Sequence, residues 1–125
     1  MSILAIDFGE RYIGLAVNVP GSRLALGLKT LKNDKEIDHH LFLICEEREV
    51  ERIIIGLPKS LSGNDSKQTK DVRKFAEYVK MKLGLKVVLE DERLTTKQAE
   101  KLKIKNLHQE SARLILQTYL DRIKH

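Results

Sequence analysis

The sequence of 125 residues contains no tryptophan, one cysteine, two prolines and only 5% aromatic residues. With a single cysteine, Cys45, the chain cannot form an internal disulfide framework, and this composition fits a reducing compartment. No apolar run reaches the roughly 18–20 residues that a membrane span needs, and no basic leader precedes an apolar signal core at the N-terminus. We therefore expect a cytoplasmic protein without membrane association, whose core is built mainly from Ile, Leu and Val.

The residues that are present indicate a compact, basic protein. Apolar residues make up 42% of the sequence and charged residues 33%, a balance typical of globular chains. At this length we expect one domain that spans residues 1–125. Lys and Arg exceed Asp and Glu by 23 − 18 = 5, which suits a polyanionic partner such as nucleic acid. Cys45 lies beside Ile44 in an apolar pattern, which favours a buried thiol over a nucleophile.

Hydrophobic patterns in the first half of the chain predict three strands and a helix. Residues 2–8 and 12–19 are short apolar runs separated by Gly-Glu-Arg, which indicates a β-hairpin. Residues 23–31 alternate like a third strand. Between about 34 and 49 the apolar positions recur at helical spacing, which predicts a surface helix.

The second half of the chain alternates between strand and helix patterns. A strand buried on both faces is predicted at 52–58, followed by a helix that is capped by Asp65 or Ser66 and ends near 83. A buried strand is predicted at 85–93. Two helices follow, a short one from Thr95 or Thr96 through Leu102 and a last one at about 107–123. The order β-β-β-α-β-α-β-α-α indicates an α/β fold, with three antiparallel strands followed by parallel crossovers.

Acidic residues follow two of the predicted strands. Asp7 ends the first strand and Glu90–Arg93 follows the fifth, while a polar loop at 56–66 follows the fourth. Open α/β sheets place ligands at the carboxyl ends of their strands, and carboxylates that converge there repel each other unless a cation lies between them. Mg²⁺ is held by one or two carboxylates with water and substrate phosphate. Alternatively, Asp7 is a turn residue and either acid of the later run pairs with Arg93.

Five segments, taken together, resemble one known family. They are LAIDFGERYIGLAV (4–17), IIIGLPKSLSGNDS (53–66), VRKFAEYV (72–79), EDERLTT (90–96) and SARLILQTYLD (111–121). In this order they are similar to the YqgF family over about residues 3–123. Its members have been described both as Holliday-junction resolvases and as nucleases that mature the 5′ end of precursor 16S ribosomal RNA. The resemblance implies the RNase H-like fold, a five-stranded mixed sheet flanked by helices.

The resemblance also implies a metal-dependent site with Mg²⁺ or Mn²⁺. Asp7 and Glu92 match the two metal-holding carboxylates, and the third acid of the family aligns with His108 in this chain. Glu110 is the nearest acid, but it lies about 200° around a helix from His108, which shares the face of Ala112. Either His108 or Glu110 completes the site, or His108 is an ordinary residue at the start of the helix and the site is weak or inactive. An imidazole there would act as a ligand suited to Mn²⁺ or as a proton-transfer group.

A basic and polar rim around the acids would bind phosphates. Its members are Arg11, Lys59, Ser60, Ser62, Asn64, Lys67 and Arg93. For any one lysine, the alternative is an ordinary solvated surface residue. Because aromatic residues are few, we expect recognition of backbone shape instead of base stacking.

The function that we expect is hydrolysis of phosphodiester bonds in precursor 16S rRNA. The expected partners are this RNA and the ribosome. Two alternatives are a Holliday-junction resolvase acting on branched DNA and a non-catalytic RNA-binding protein of ribosome assembly. The first motif also resembles the phosphate loop of actin-like ATPases, but those folds need a second lobe, for which 125 residues leave no room. A resolvase that cuts symmetrically requires a homodimer, and the sequence is compatible with a monomer or a homodimer.

Overall fold

The computed structural model describes residues 2–58, 66–91 and 107–123. Its strands are β1 (Ser2–Phe8), β2 (Tyr12–Asn18), β3 (Ala25–Lys32), β4 (Val50–Leu57) and β5 (Lys86–Asp91), and its helices are α1 (Ile37–Glu47), α2 (Lys67–Leu83) and α3 (Leu107–Arg122). The helix predicted from Thr95 or Thr96 through Leu102 lies outside the described residues.

The strands form one mixed sheet in the order β3-β2-β1-β4-β5. β1 pairs antiparallel with β2, and β2 with β3, whereas β1, β4 and β5 are parallel neighbours. This arrangement confirms the α/β fold and the antiparallel-then-parallel order predicted from the sequence. It also puts β1 at the centre of the sheet, with its carboxyl end beside the carboxyl ends of β4 and β5.

Local signals fix the ends of the helices. Ser66 caps α2, because its hydroxyl accepts a hydrogen bond from the backbone N–H of Thr69 while the Thr69 hydroxyl accepts one from Ser66 N–H. Gly84 ends α2 in the left-handed conformation that glycine adopts without strain (φ 66°). α1 ends earlier than predicted, and Glu49 takes a positive φ of 52° before β4 begins.

Burial follows the position of each strand in the sheet. Ile53, Ile54 and Ile55 of β4 are fully buried, which confirms that β4 is covered on both faces. β5, predicted as a buried strand, is less buried than β4. Val87 and Val88 are only half-buried, because among the described strands β5 pairs with β4 alone and lies at an edge of the sheet.

Helices cover the two faces of the sheet with cores of different size. Leu and Ile side chains pack between the sheet and α1 and α2, and Cys45 belongs to this core. Burial raises the pKa of the Cys45 thiol to about 11, as expected for a packing residue and not for a nucleophile.

None of the helices within the described ranges combines the length and the apolar character that crossing a membrane requires.

The opposite face of the sheet is lined by small residues under α3. Ala5, Ala16 and Ala25 come from three neighbouring strands and pack with Ala112 and Ile115 of the helix. Short side chains on both surfaces allow α3 to lie close to the sheet. This close approach brings the N-terminal turn of α3 over the carboxyl end of β1, where the candidate site lies.

Candidate active site

The site centres on a carboxylate and an imidazole from opposite ends of the chain. Along β1, Ala5 packs under α3 and Ile6 packs under α1 and α2, so alternation directs Asp7 to the α3 face. His108, the second residue of α3, lies above it, with Nδ1 at 3.7 Å from Asp7 Oδ2. This distance is longer than a hydrogen bond, so the two groups interact as an ion pair when His108 is protonated.

The pair is only partly shielded from water. The Asp7 side chain is 14% exposed and the His108 side chain 37% exposed. The Asp7 carboxylate raises the pKa of the His108 imidazole above its usual 6.5 because it stabilises the protonated form, while partial burial works in the opposite direction. An imidazole is the side chain type that titrates near neutral pH, so His108 is a candidate proton-transfer group.

Two glycines permit this arrangement. Gly14 of β2 lies directly opposite Asp7, and a Cβ atom there would lie 2.0 Å from the carbonyl oxygen of His108. A Cβ on Gly9 would lie 2.5 Å from the carbonyl oxygen of Tyr12 and 3.4 Å from Cε1 of His108. Both positions thus lack the room for a side chain, because the first turn of α3 and the β1–β2 turn occupy it.

Glu110, the alternative to His108, has a different contact. Its Oε1 accepts hydrogen bonds from Arg113 Nε at 2.9 Å and Nη2 at 2.5 Å, within the same helix. Glu110 is therefore engaged by a cation one turn along α3, whereas His108 is the residue of this turn that faces Asp7.

The carboxyl end of β5 lies at the level of the site. Ile6 of β1 is opposite Ile55 of β4, and Ile55 is opposite Leu89 of β5, two strand spacings or about 10 Å from β1. Glu90, one residue further, is buried and forms an ion pair with Arg122 at the end of α3, so it stabilises the packing of the helix. Glu92, the second predicted metal ligand, lies outside the described residues.

Two of the predicted phosphate-binding residues are described. Arg11 is exposed in the β1–β2 turn next to the site, and its backbone carbonyl accepts a hydrogen bond from Asn33. Lys67 is exposed at the start of α2, where its ammonium lies 3.4 Å from Asp71 and 3.9 Å from Glu10. Acidic neighbours thus offset the charge of Lys67. The other predicted members of the rim, Lys59, Ser60, Ser62, Asn64 and Arg93, lie outside the described residues.

Sequence reasoning missed Tyr12, whose ring centroid lies 5.8 Å from that of His108. Strand alternation could have found it: Tyr12 is two residues from Gly14, and Gly14 pairs with Asp7, so both lie on the α3 face of β2. Lys32 of β3 lies opposite Tyr12 in the β2–β3 register and therefore shares the α3 face of the sheet with Tyr12.

The Asp7 and His108 donors are compatible with one bound metal ion. Ligands about 2.0–2.2 Å from an ion lie at most about 4.4 Å apart, and the two donor atoms are 3.7 Å apart. A neutral imidazole beside a carboxylate suits Mn²⁺ or another transition ion better than Mg²⁺, which prefers oxygen. Within the described ranges, no group of three or more His, Cys, Asp or Glu residues is placed to hold an ion, so a complete site requires a further ligand.

Comparison with known proteins gives consistent results. Residues 1–122 match the RuvX family, whose description is "Holliday junction resolvase". A "Putative pre-16S rRNA nuclease" from Dictyoglomus thermophilum is 36% identical, with 97% of this chain and 96% of the relative covered. A protein of the same name from Koribacter versatilis is 40% identical, with 96% and 86% covered.

Solved structures share the fold at low sequence identity. RuvC of Thermus thermophilus has a TM-score of 0.63 and 13% identity, with 98% of this chain and 95% of that chain covered. The Fowlpox virus resolvase, solved with Holliday junction DNA, has a TM-score of 0.66 and 12% identity over the full length of both chains. The solved structures show the same fold. The near-complete family match and the level of identity to curated relatives confirm the resemblance to the YqgF family, and the chain belongs to the YqgF-like RuvX family.

Proposed function

We propose that this protein is a metal-dependent nuclease, formed by one domain over residues 1–125, that hydrolyses phosphodiester bonds at the 5′ end of precursor 16S rRNA in the cytoplasm. The observation that carries the proposal is the Asp7 carboxylate at the carboxyl end of the central strand, facing the His108 imidazole at 3.7 Å. A partly buried carboxylate and a titratable base, open to solvent on one side, provide a cation site and a proton-transfer group together.

Two carboxylates and an imidazole divide the chemistry in this proposal. Asp7 and Glu92 hold Mg²⁺ or Mn²⁺, and Glu92 is assigned because it aligns with a family carboxylate and directly follows Asp91, the last residue of β5. When bound, the metal stabilises negative charge on the phosphate and lowers the pKa of attacking water. His108 either completes the ligand set or gives a proton to the leaving oxygen, and Asp7 keeps its ring in place.

Binding of the substrate needs positive charge around the acids. Arg11 lies at the turn that follows Asp7, so its guanidinium is suited to a phosphate beside the scissile one. Lys67 and the residues outside the described ranges, Lys59, Ser60, Ser62, Asn64 and Arg93, extend this rim in the proposal. The net charge of +5 supports attraction of a polyanion that weakens as salt rises.

Precursor rRNA is the first choice of substrate because curated relatives of 33–40% identity carry that name over nearly their whole length. Cleavage of Holliday junctions is the second candidate, favoured by the description of the RuvX family. Symmetric junction cleavage would require two copies of the chain, so a monomer in solution would count against it.

Cleavage of two substrates tests the function. A labelled precursor rRNA 5′ fragment and a four-way DNA junction are incubated with the protein in Mg²⁺, in Mn²⁺ and in EDTA. We expect cleavage of the rRNA fragment that EDTA abolishes and that Asp7→Asn and Glu92→Gln each reduce at least about 100-fold. Asp121→Asn is the matched control, because Asp121 is an exposed acid at the other end of α3.

His108→Asp tests the metal preference. Replacing a nitrogen donor by oxygen should raise the ratio of activity in Mg²⁺ to activity in Mn²⁺, and calorimetric titration with each ion alone should show the same shift in affinity. Specific binding of both substrates without any cleavage, in wild type and in His108→Asp, would refute the enzymatic proposal and favour a binding protein.

A further inference from the structure

An aromatic ring and a lysine extend from the candidate site across the edge of the sheet. Tyr12, the first residue of β2, is 43% exposed, and its ring lies 5.8 Å from the His108 ring with a tilt of 41° between the planes. Lys32 lies opposite Tyr12 in the β2–β3 register and is also exposed. The side chains of His108, Tyr12 and Lys32 therefore form a row that starts at the Asp7–His108 pair.

Register places this row on the face that carries Asp7. Asp7 is opposite Gly14, and Gly14 is opposite Thr30, whose hydroxyl lies 3.5 Å from the Gln109 side chain of α3. Tyr12 and Lys32 are each two residues from Gly14 and Thr30 along their strands, about 6.8 Å, and so emerge beyond the N-terminus of α3. A polymer bound at Asp7 would meet Tyr12 within about one nucleotide.

The two side chains are available for a ligand. Within residues 2–58, 66–91 and 107–123 no ion pair involves Lys32, in contrast to Lys67, whose charge is offset by Glu10 and Asp71. Tyr12 is 43% exposed, so part of its side chain is accessible to a ligand. Aromatic faces and lysines side by side are the means by which proteins hold unpaired nucleotides, because bases stack on rings and cations neutralise phosphates.

We propose that Tyr12 stacks on an unpaired nucleotide adjacent to the scissile phosphate, and that Lys32 binds the phosphate beyond it. This inference rests on the proposed nuclease function and names its substrate class: a single-stranded segment, because a base within a duplex does not expose its face to a ring. It replaces the expectation, based on the small number of aromatic residues, that backbone shape alone is recognised.

Binding in EDTA tests the inference without requiring cleavage. The probes are a fluorescein-labelled single-stranded RNA 12-mer of mixed sequence and the blunt duplex of the same sequence, and the measurement is Kd by fluorescence anisotropy. Tyr12→Leu keeps an apolar side chain but removes the ring, and we expect it to weaken binding of the single strand at least about 5-fold while binding of the duplex changes less than about 2-fold. Tyr12→Phe should bind like the wild type.

Matched variants separate a local effect from a general one. Tyr78→Leu replaces a tyrosine of similar exposure, 42%, on α2, which packs against the opposite face of the sheet. Lys32→Gln should lower the slope of log Kd against log salt for the single strand by about 0.7. Lys29→Gln, on the same strand but opposite Leu15 of the other core, should leave that slope unchanged. Circular dichroism melting verifies that each variant folds.

Four outcomes decide the matter. Loss of single-strand affinity in Tyr12→Leu alone supports the inference, even if the wild type cleaves nothing and the proposed function fails. Equal affinity of Tyr12→Leu and wild type overturns it, even if cleavage is retained and the proposed function stands. An equal loss for duplex and single strand, or the same loss in Tyr78→Leu, overturns it as well.

Discussion

Replacing Gly14 with alanine should displace His108 from Asp7. A Cβ atom at position 14 would lie 2.0 Å from the carbonyl oxygen of His108, 2.1 Å from its carbonyl carbon and 2.6 Å from the backbone nitrogen of Gln109. All three are backbone atoms in the first turn of α3, so no change of rotamer relieves the contact. Contacts of real Cβ atoms below 3.0 Å are essentially absent, so the closest separation must grow from 2.0 Å by 1.0 Å or more.

The size of this shift sets the expected effects. Overpacking of this kind costs about 1–3 kcal/mol in the free energy of unfolding, and the lower entropy of the unfolded chain with alanine returns about 0.4–1 kcal/mol of it. We therefore expect Gly14→Ala to fold but to lose up to about 2.6 kcal/mol in the free energy of unfolding. A displacement of about 1 Å at the reacting groups costs about 100-fold in rate, so cleavage should fall by that factor.

Gly27→Ala provides a matched control, because Gly27 is also a strand glycine that faces α3. Its Cβ atom would lie 3.4 Å from Nε2 of Gln109, an ordinary contact with a flexible side chain. We expect this variant to keep wild-type cleavage and to change the free energy of unfolding by less than about 1 kcal/mol.

Three measurements follow the effect of Gly14→Ala. Urea denaturation gives the free energy of unfolding, and the cleavage assay gives the rate. Proton NMR in EDTA follows the imidazole of His108, assigned by the loss of its signal in His108→Gln. The His108 pKa should fall from its raised value towards 6.5 as Asp7 becomes more distant. Wild-type cleavage with an unchanged His108 pKa, or an equal loss in Gly27→Ala, would refute the reasoning.

Two further predictions concern charged pairs of α3. Arg122→Met leaves the buried carboxylate of Glu90 without its partner and should lower the free energy of unfolding, measured by urea denaturation, by about 1–3 kcal/mol. The loss should fall at the lower end of this range because the Arg122 side chain is 58% exposed. The double variant with Glu90→Gln should recover part of the loss, and equal stability of the single and double variants would contradict this. His108 has a folded pKa above 6.5, so its pairing with Asp7 stabilises the metal-free protein fully below about pH 6.5 and loses effect as pH rises through the folded pKa. The difference in unfolding free energy between wild type and His108→Gln should therefore be larger at pH 5.5 than at pH 8.5 in EDTA, and a larger difference at pH 8.5 would be inconsistent with this pairing.

The elements of the fold could be predicted because local patterns determine them. The first strand is predicted at 2–8 and observed at Ser2–Phe8. The last helix is predicted at about 107–123 and observed at Leu107–Arg122. The end of α2 follows directly from Gly84, which adopts the left-handed conformation. The burial of β5 could not be predicted in this way, because an apolar strand has the same sequence pattern whether it has one neighbour or two.

The candidate site could be predicted in part. Asp7 stands out in the sequence because it ends an apolar strand, while the family resemblance indicates His108 and helical periodicity places it on the face of Ala112, which packs against the sheet. The contact of His108 with Asp7 joins residues 101 positions apart, 108 − 7, and is set by how closely α3 approaches the sheet. That approach depends on Gly14, whose importance is visible only when the helix is in place.

The small residues under α3 connect the packing of the helix to the site. Ala5, Ala16 and Ala112 reduce the separation between helix and sheet along the length of α3, and Gly14 reduces it further at the N-terminal turn. At the other end, Arg122 binds the buried Glu90 of β5, so the helix is held at both ends against the strands that carry the acids. Because His108 lies in the first turn of α3, a substitution that lifts this helix from the sheet moves His108 relative to Asp7. Replacing one of these alanines with a larger residue should therefore lower activity more than the loss of stability alone would predict.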